Sequence, residues 1–233
     1  MKKEWRTFLR EKYLPHRWCA GCGNGIILNV FVHAFSEAGL NQDKTVILSG
    51  IGCSGRITQY LNFDTIHTLH GRAIPLATGI KLFRPDLNVI VFTGDGDCMA
   101  IGGNHLIHAA RRNIDLTVIF INNQIYGMTG GQLSPTTPLH SKTKTSPYGN
   151  KETPFNVTEL VISAGATFVA KFTTYHAREL KRGLVKAFFH KGFSFVEVIS
   201  ACPTRWGLKP VEALESQKKE KVGIIKPSPS NTD

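Results

Sequence analysis

Apolar residues along the chain gather into short runs separated by segments of mixed polarity. Five runs are rich in β-branched residues and nearly continuous rather than alternating, which predicts strands buried on both faces. They span residues 45–50, 88–93, 116–121, 167–172 and 194–199. Such strands are typical of a parallel sheet that is covered by helices on both sides.

Helical spacing of apolar residues lies between most of these runs. The predicted helices span residues 25–38, 71–83, 100–112 and 175–189, and Gly39 is a candidate C-cap for the first. Alternating strands and helices predict an α/β fold with a doubly wound, mostly parallel sheet. A stretch over residues 129–155, rich in Gly, Ser, Thr and Pro, indicates either a functional loop or a disordered connection.

The pattern divides the chain into three parts. These are an N-terminal extension over residues 1–15, one domain over residues 16–215 and a basic tail over residues 216–233. The chain has 233 residues, of which 42% are hydrophobic and 19% charged, an ordinary composition for a globular protein. Because neither a signal peptide nor an apolar run of ~18 residues is recognisable, we expect a soluble, cytoplasmic protein that does not bind membranes.

The net charge of +11 adds the expectation of anionic partners. Nucleic acid, anionic lipid and acidic proteins all fit such a charge, and a solvated basic face with a Lys-rich C-terminal segment is the alternative. No helix-turn-helix or RNA-binding signature accompanies the charge, so we expect no nucleic-acid partner.

Polar residues follow two of the predicted strands. Asp95, within GDGD, comes after the strand over 88–93, and Asn123, within NNQ, comes after the strand over 116–121. A right-handed βαβ unit brings both strand ends to one crevice, where carboxylate and amide oxygens suit Mg²⁺ and phosphate. Gly94 and Gly96 would let backbone N–H groups approach the phosphates. A tight turn and a pair of loop asparagines are the alternative for each motif alone, but the two at this spacing favour a diphosphate site.

The five cysteines suggest a second site. Cys19 and Cys22 form a C-x-x-C pair, and Cys53 and Cys202 lie in turns that follow predicted strands. Four such thiolates suit a [4Fe-4S] cluster or a zinc ion, and a disulfide between Cys19 and Cys22 is a third possibility. Because Cys53 lies at the same sheet edge as the phosphate site, its position favours a redox cluster over structural zinc. Cys98 borders an apolar helix and is interpreted as a buried packing residue.

Several blocks of sequence, in order, resemble the β subunits of 2-oxoacid:ferredoxin oxidoreductases, a family of thiamine diphosphate enzymes. The blocks are WCAGCGNG (18–25), SGIGCSGR (49–56), HTLHGRAIPLATGIKL (67–82), GDGD (94–97), NNQIYG (122–127) and YGMTGGQLSPTTP (126–138). The resemblance runs from about residue 16 to 215 and implies the thiamine diphosphate-binding fold of the PP-domain type.

The resemblance also assigns site residues. It gives Mg²⁺ to Asp95, Asn123 and the carbonyl of Ile125. It gives a [4Fe-4S] cluster to Cys19, Cys22, Cys53 and Cys202. It gives thiamine diphosphate contacts to Ile51, Gly52, Cys53, Ser54, His70, Gly94, Gly96, Asp97, Tyr126, Gly127 and Met128. For His70, which is also the one catalytic candidate in this chain, the alternative is that it caps the helix predicted to begin at Gly71.

The activity that the resemblance implies is oxidative decarboxylation of a 2-oxoacid. The products would be acyl-coenzyme A and CO₂, with electrons passed through the cluster to ferredoxin. The segment CPTRWGLKPVEALE (202–215) is similar to members that act on 2-oxoglutarate or branched 2-oxoacids. In this family the Glu that activates the cofactor lies on an α subunit, so we expect an α-subunit partner, room for further small subunits, and no activity from this chain alone.

Two other functions compete with this one. The first is half of a non-redox thiamine diphosphate enzyme with structural zinc. The second is a basic zinc module that binds nucleic acid, which leaves the spacing of GDGD and NN unexplained. Within the favoured interpretation, Ala73, Ala77 and Gly79 would let the helix over 71–83 pack closely against the α subunit, or the helix is an ordinary core element.

Overall fold

A seven-stranded sheet forms the centre of the protein in a computed structural model that describes residues 4–225. The strands are β1 Thr45–Ser49, β2 Asp64–His67, β3 Asn88–Gly94, β4 Thr117–Asn122, β5 Phe168–Thr173, β6 Ser194–Ile199 and β7 Gly223–Ile225. Their order in the sheet is β2-β1-β3-β4-β6-β5-β7. All neighbouring strands are parallel except β7, which runs antiparallel to β5. The predicted α/β fold with a mostly parallel sheet is confirmed.

All five predicted strands are present, and two further strands lie at the sheet edges. β2 is half exposed and mixes polar with apolar residues, so it lacks the continuous apolar run that marks the central strands. β7 has only three residues and lies in the stretch that the sequence analysis assigned to the basic tail. Both strands depend on pairing with a neighbouring strand, and the residue pattern within each segment does not reveal that pairing.

The four predicted helices are also present, with shifted ends. The helices are α1 Gly23–Ala38, α2 Ile57–Tyr60, α3 Ala73–Phe83, α4 Gly103–Arg111, α5 Val157–Ser163, α6 Ala177–Phe189, α7 Pro203–Trp206 and α8 Pro210–Glu215. Gly39 ends α1 in the left-handed conformation, at a φ of 67°, as predicted. The predicted helix over 100–112 is preceded by a π-helical segment over Gly96–Ile101, which carries part of the GDGD motif.

Helices cover both faces of the sheet, as the doubly wound fold requires. On one face α1 and α6 bury residues such as Phe31, Phe35 and Leu184 against the sheet. On the other face α3, α4 and α5 bury Ile74 and Leu106, among others. Within residues 4–225, none of these helices is both long enough and apolar enough to cross a membrane.

The long connection over residues 129–155 is held by hydrogen bonds from its own polar residues. The Asn150 side chain donates to the carbonyls of Thr137 (2.8 Å) and Glu152 (2.9 Å). The Thr137 hydroxyl donates to the carbonyl of Gln124 (2.6 Å), which ties the loop to the end of β4. Of the two interpretations of this stretch, these contacts favour a structured loop beside the carboxyl end of the sheet.

Candidate functional site

A cavity of about 300 Å³ opens at the carboxyl ends of β1, β3 and β4. After β1 the chain turns to one side to form β2, then returns on the other side as β3. Such a reversal opens a crevice between β1 and β3, where α/β sheets bind ligands. The cavity is lined by all of the residues predicted to contact the cofactor: Ile51, Gly52, Cys53, Ser54, His70, Gly94, Gly96, Asp97, Tyr126, Gly127 and Met128.

The three predicted magnesium ligands meet in this cavity. The Asn123 side-chain oxygen lies 3.0 Å from Oδ1 of Asp95 and 2.8 Å from the carbonyl oxygen of Ile125. Three oxygens that face one another repel unless a cation lies among them or the amide turns over to place its nitrogen there. A carboxylate, an amide oxygen and a backbone carbonyl are hard ligands of the kind Mg²⁺ prefers, so this donor set fits the ion.

The carboxylate of Asp95 is buried and fixed by two hydroxyl groups. Ser134 and Thr136 donate to Oδ2 of Asp95 at 2.6 and 3.1 Å, while Oδ1 faces Asn123. Burial raises the pKa of Asp95 to about 6, and the Ser134 hydroxyl, the Gly96 N–H and the Thr136 hydroxyl oppose that rise. A bound divalent cation would further favour the ionised carboxylate. Ser134 and Thr136 are not among the predicted site residues, because no spacing rule connects them to Asp95.

Asp97 uses its carboxylate within the protein. Its Oδ1 accepts the backbone N–H groups of Ile51 (3.1 Å) and Gly71 (2.7 Å), and its Oδ2 accepts the Thr93 hydroxyl (2.5 Å). A side chain at Gly50 would collide with this carboxylate, which explains the glycine. Asp97 therefore joins the turn after β1 to the turn before α3, and a direct contact with the cofactor stays a prediction.

His70 lies beside Asp97 at the cavity wall. Its Nδ1 is 2.8 Å from Oδ1 of Asp97, but the approach is off the line of an aligned hydrogen bond. The helix α3 begins at Ala73, two residues later than predicted, and its N-cap is Arg72. The interpretation of His70 as the cap of this helix is therefore wrong, while its contact with a cofactor stays a prediction.

Glycine and aromatic residues shape the diphosphate end of the cavity. A side chain at Gly96 would collide with the ring of Tyr126, whose hydroxyl donates to the Gly96 carbonyl at 3.2 Å. The backbone of the GDGD turn is thereby pressed against the loop after β4. This close contact leaves no room for a side chain at Gly96.

The four predicted cluster ligands line a second cavity, of about 170 Å³. Cys19 and Cys22 come from the turn before α1, Cys53 from the turn after β1, and Cys202 from the turn after β6. All four are free thiols, so the pair Cys19 and Cys22 forms no disulfide. Cys98 is buried in the core against the helices of the other face, which confirms its interpretation as a packing residue.

Four thiols that line one cavity suit either a [4Fe-4S] cluster or a single metal ion. A zinc ion needs four sulfurs at about 2.3 Å from one centre. Within residues 4–225, no three His, Cys, Asp or Glu side chains come close enough together to hold one ion. Burial raises the pKa of Cys22 to about 12 and also raises the pKa values of Cys53 and Cys202, so these thiolates need a bound metal to offset their desolvation.

The two cavities share a wall. Cys53, Asn123, Gly127 and Met128 line both of them. A Cβ atom placed on Gly127 would lie 3.5 Å from Sγ of Cys53 and 3.8 Å from Sγ of Cys202. Because Gly127 has no side chain, the cysteine cavity lies close to the wall of the first cavity.

Hydrogen bonds from large side chains hold this wall in place. The indole of Trp18 donates to the carbonyl of Cys53 at 2.7 Å, and the indole of Trp206 donates to the carbonyl of Asn123 at 3.1 Å. Nε of Arg205 donates to the carbonyl of Gly127 at 2.8 Å. None of these three residues was predicted to belong to the site, although each adjoins or follows a cysteine by a few positions.

Comparisons with known proteins agree with this geometry. Residues 50–198 match the family model described as "Thiamine pyrophosphate enzyme, C-terminal TPP binding domain". The chain is 59% identical over 218 residues to "2-oxoglutarate synthase subunit KorB" of Archaeoglobus fulgidus, a match covering 94% of this chain and 81% of that protein. It is 43% identical over 204 residues to "2-oxoacid:ferredoxin oxidoreductase 2, subunit beta" of Aeropyrum pernix, covering 88% of this chain and 65% of that protein.

A solved structure is similar as well. It is described as 2-oxoglutarate:ferredoxin oxidoreductase from Magnetococcus marinus with 2-oxoglutarate, coenzyme A and succinyl-CoA bound. The TM-score is 0.87 at 33% sequence identity, and the match covers 98% of this chain and 86% of that chain. Neither the family model nor these relatives supports the nucleic-acid-binding module considered above.

Proposed function

The chain belongs to the thiamine diphosphate-binding β subunits of the 2-oxoacid:ferredoxin oxidoreductases, and from this premise we propose that it catalyses, together with an α subunit, the oxidative decarboxylation of 2-oxoglutarate. Coenzyme A would take the acyl group, CO₂ would be released, and ferredoxin would accept the electrons. The observation that carries the proposal is the wall shared by the diphosphate cavity and the four-cysteine cavity. The names of the similar proteins support 2-oxoglutarate as the substrate.

Thiamine diphosphate and Mg²⁺ fit the first cavity. Asp95, Asn123 and the Ile125 carbonyl would hold the ion, and the backbone over 94–97 would hold the diphosphate. When bound, thiamine diphosphate supplies the carbanion chemistry that decarboxylation of a 2-oxoacid requires. The chain itself contributes fixed ligands, a low-dielectric pocket and the orientation set by Asp97 and Tyr126.

A [4Fe-4S] cluster fits the second cavity. It would be held by the C-x-x-C pair, Cys19 and Cys22, and by Cys53 and Cys202, each of which lies in a turn of its own. Cys53 lines both cavities, so a cluster bound there would lie directly behind the cofactor wall. This arrangement suits electron transfer in single steps, whereas a structural zinc ion would gain nothing from it.

The α subunit would complete the first cavity. Among residues 4–225, the residues that line it include no glutamate, and its two carboxylates belong to Asp95 and Asp97, both already hydrogen-bonded. The activating Glu must then come from the partner. Two exposed apolar side chains line this cavity, Ile51 and Met128, and a partner would cover them.

Ferredoxin would dock at the mouth of the cysteine cavity. Three exposed arginines line that cavity: Arg17, Arg56 and Arg205. Among the ion pairs of residues 4–225, none involves these arginines. An acidic protein would pair with these three arginines, which contribute to the net charge of +11.

The test is to purify the chain without oxygen, alone and with its α subunit. We expect a brown, iron-containing protein, and 2-oxoglutarate-dependent reduction of a one-electron dye with coenzyme A only when both chains are present. Replacing the partner's activating Glu should abolish the activity. A colourless zinc protein would instead support the non-redox thiamine diphosphate enzyme, and full turnover by this chain alone would contradict the shared active site.

A further inference from the structure

Asn24 has no role in the function described so far, yet it lies where the two sites meet. It is the second residue of α1, two positions after Cys22, and its residue surface is only 2% exposed. It lines the cavity proposed for thiamine diphosphate. A buried asparagine at the start of a helix therefore contacts both the cofactor cavity and the C-x-x-C turn.

The amide nitrogen of Asn24 is directed at a predicted cluster ligand. Its Nδ2 donates to Sγ of Cys22 at 3.4 Å. The backbone N–H of Asn24 is directed at the same Cys22 thiol. A thiolate only accepts hydrogen bonds, so a bound cluster would fix the amide with its nitrogen toward the sulfur.

The amide oxygen of Asn24 is left without a partner. Among residues 4–225, Oδ1 is one of two buried side-chain polar atoms that have no hydrogen-bond partner, and the other is Nδ1 of His70 across the same cavity. Buried polar atoms are normally satisfied, so an unpartnered acceptor in the wall of a ligand cavity points to a donor on the occupant or on a water bound with it.

We propose that Asn24 is a positioning residue that couples the cysteine site to the cofactor site through its two amide ends. Its N–H group stabilises the sulfur charge of Cys22, and its oxygen accepts a hydrogen bond when the cofactor cavity is filled. Hydrogen bonds to cluster sulfurs raise the reduction potential, because they stabilise the reduced, more negative state. Filling the cavity polarises the amide and strengthens the bond to sulfur. The inference rests on the proposed function.

Potentiometric titration followed by electron paramagnetic resonance tests the first half of this inference. The αβ complex is prepared without oxygen as wild type, as Asn24→Leu, which keeps the side-chain size, and as Asn29→Leu. Asn29 lies on the same helix but is exposed, so it gives a matched control. We expect Asn24→Leu to shift the cluster potential to a more negative value and Asn29→Leu to keep the wild-type potential. Equal potentials in all three, or equal shifts in both variants, would overturn the inference.

Adding thiamine diphosphate with Mg²⁺ to the same samples tests the second half. In wild type the potential should rise on loading, and in Asn24→Leu it should stay where it was. By linkage, calorimetric titration should find the cofactor bound more tightly to the dithionite-reduced wild type than to the oxidised form, by the same factor. A rise on loading that persists in Asn24→Leu would show that other residues carry the coupling.

Two further results distinguish a failure of the role of Asn24 from a failure of the proposed function. If Asn24→Leu fails to retain iron, Asn24→Ser provides the comparison, since its hydroxyl can still donate to sulfur. A cluster potential equal to that of wild type in Asn24→Ser, together with no change of potential on cofactor loading, would support the separate role of the amide oxygen. A response equal to that of wild type would contradict that role. Iron missing from wild type would refute the proposed function, whereas iron-loaded samples with equal potentials would refute only the role of Asn24.

Discussion

Single residues at the candidate site are fixed by partners far away in the sequence. Asp95 receives Ser134, which is 39 positions later, and Asp97 receives the N–H of Gly71, which is 26 positions earlier. Each of these contacts satisfies a buried carboxylate that would otherwise be expensive to bury. The result is a set of oxygens held in place before any ligand arrives, which lowers the cost of binding.

Replacing Asp95 by alanine should abolish binding of thiamine diphosphate with Mg²⁺, because Asp95 is the one charged group among the three predicted protein ligands of the ion. We expect the affinity to fall by more than about 100-fold, beyond the range usual for residues behind the ligands. The folded state raises the pKa of Asp95 to about 6. Without metal, its ionisation therefore costs stability as pH rises through that value, and the variant should lose this dependence of stability on pH.

Calorimetric titration of the αβ complex and thermal melting without metal check this prediction. Asp43→Ala, at an exposed position outside the site, serves as the control. Unchanged affinity in Asp95→Ala would remove Asp95 from the metal site.

Ser134→Ala should weaken binding of the same cofactor by about 10- to 100-fold, since residues behind metal ligands typically contribute this much. The Ser134 hydroxyl is the shortest contact to Asp95, at 2.6 Å, and orients its free oxygen. Ser163→Ala, at an exposed position on α5, should keep wild-type affinity in the same titration. If both variants bind equally well, the loop over 134–136 does not support the metal site.

Whole elements contribute to the site through the turns at their ends. The cysteines of the second cavity come from the turn before α1, the turn after β1 and the turn after β6, all at the carboxyl edge of the sheet.

The helix α3 has one face in the core and one face that is exposed. Ala73 and Ala77 pack into the core, so their small size serves the sheet rather than a partner, while Leu76 and Phe83 are exposed and Gly79 is open to solvent.

Cysteine replacements should distinguish the predicted cluster ligands from Cys98, which is buried in the core. Cys53→Ser and Cys202→Ser should each lower iron content and 2-oxoacid-dependent dye reduction, because serine does not replace a thiolate ligand. Cys98→Ser should keep its iron but destabilise the fold by about 1–3 kcal/mol, the usual cost of an unsatisfied buried hydroxyl. Iron analysis and chemical denaturation measure the two effects, and loss of iron from Cys98→Ser as complete as from Cys53→Ser would contradict the assignment.

At the scale of the whole molecule, the site is open toward partners on two sides. The cofactor cavity opens among exposed apolar residues and the cysteine cavity opens among exposed arginines. Apolar surface favours a stable subunit contact, whereas unpaired charge favours fast, transient docking of an oppositely charged protein. This division matches a permanent α subunit and an exchanging electron carrier.

Arg17→Glu should raise the KM for ferredoxin several-fold and weaken the dependence of this KM on salt. Its charge lies at the rim of the cysteine cavity, where long-range attraction steers an acidic partner. Arg111→Glu changes the same charge at the C-terminal end of α4, before β4 and thus at the opposite sheet edge, and should change KM little. Reduction of a small neutral dye should be the same in both, and equal effects of the two variants on KM would argue against docking at the cysteine cavity.

The sequence by itself determined the sheet, its main helices and the residues at strand ends, because each of these depends on local patterns. Buried strands show as apolar runs, and parallel strands place their carboxyl ends at one edge, so Asp95 and Asn123 could be paired from spacing alone. For the four cysteines, the position of Cys53 at the same edge favoured a cluster over zinc, and the family resemblance agreed with that choice. The edge strands β2 and β7 were not predicted, because they are defined by pairing with a neighbouring strand rather than by their own residues.

Only the tertiary structure decided what supports the site. Ser134, Thr136, Trp18 and Asn24 reach their partners through folds of the backbone that no periodicity encodes. The same holds for Asp97, which the family resemblance placed at the cofactor but whose Oδ1 accepts N–H groups from two turns of the protein. Contacts between residues distant in sequence depend on the angles of loops and on close packing, which one residue pattern leaves open, and these contacts set the shared wall between the two cavities.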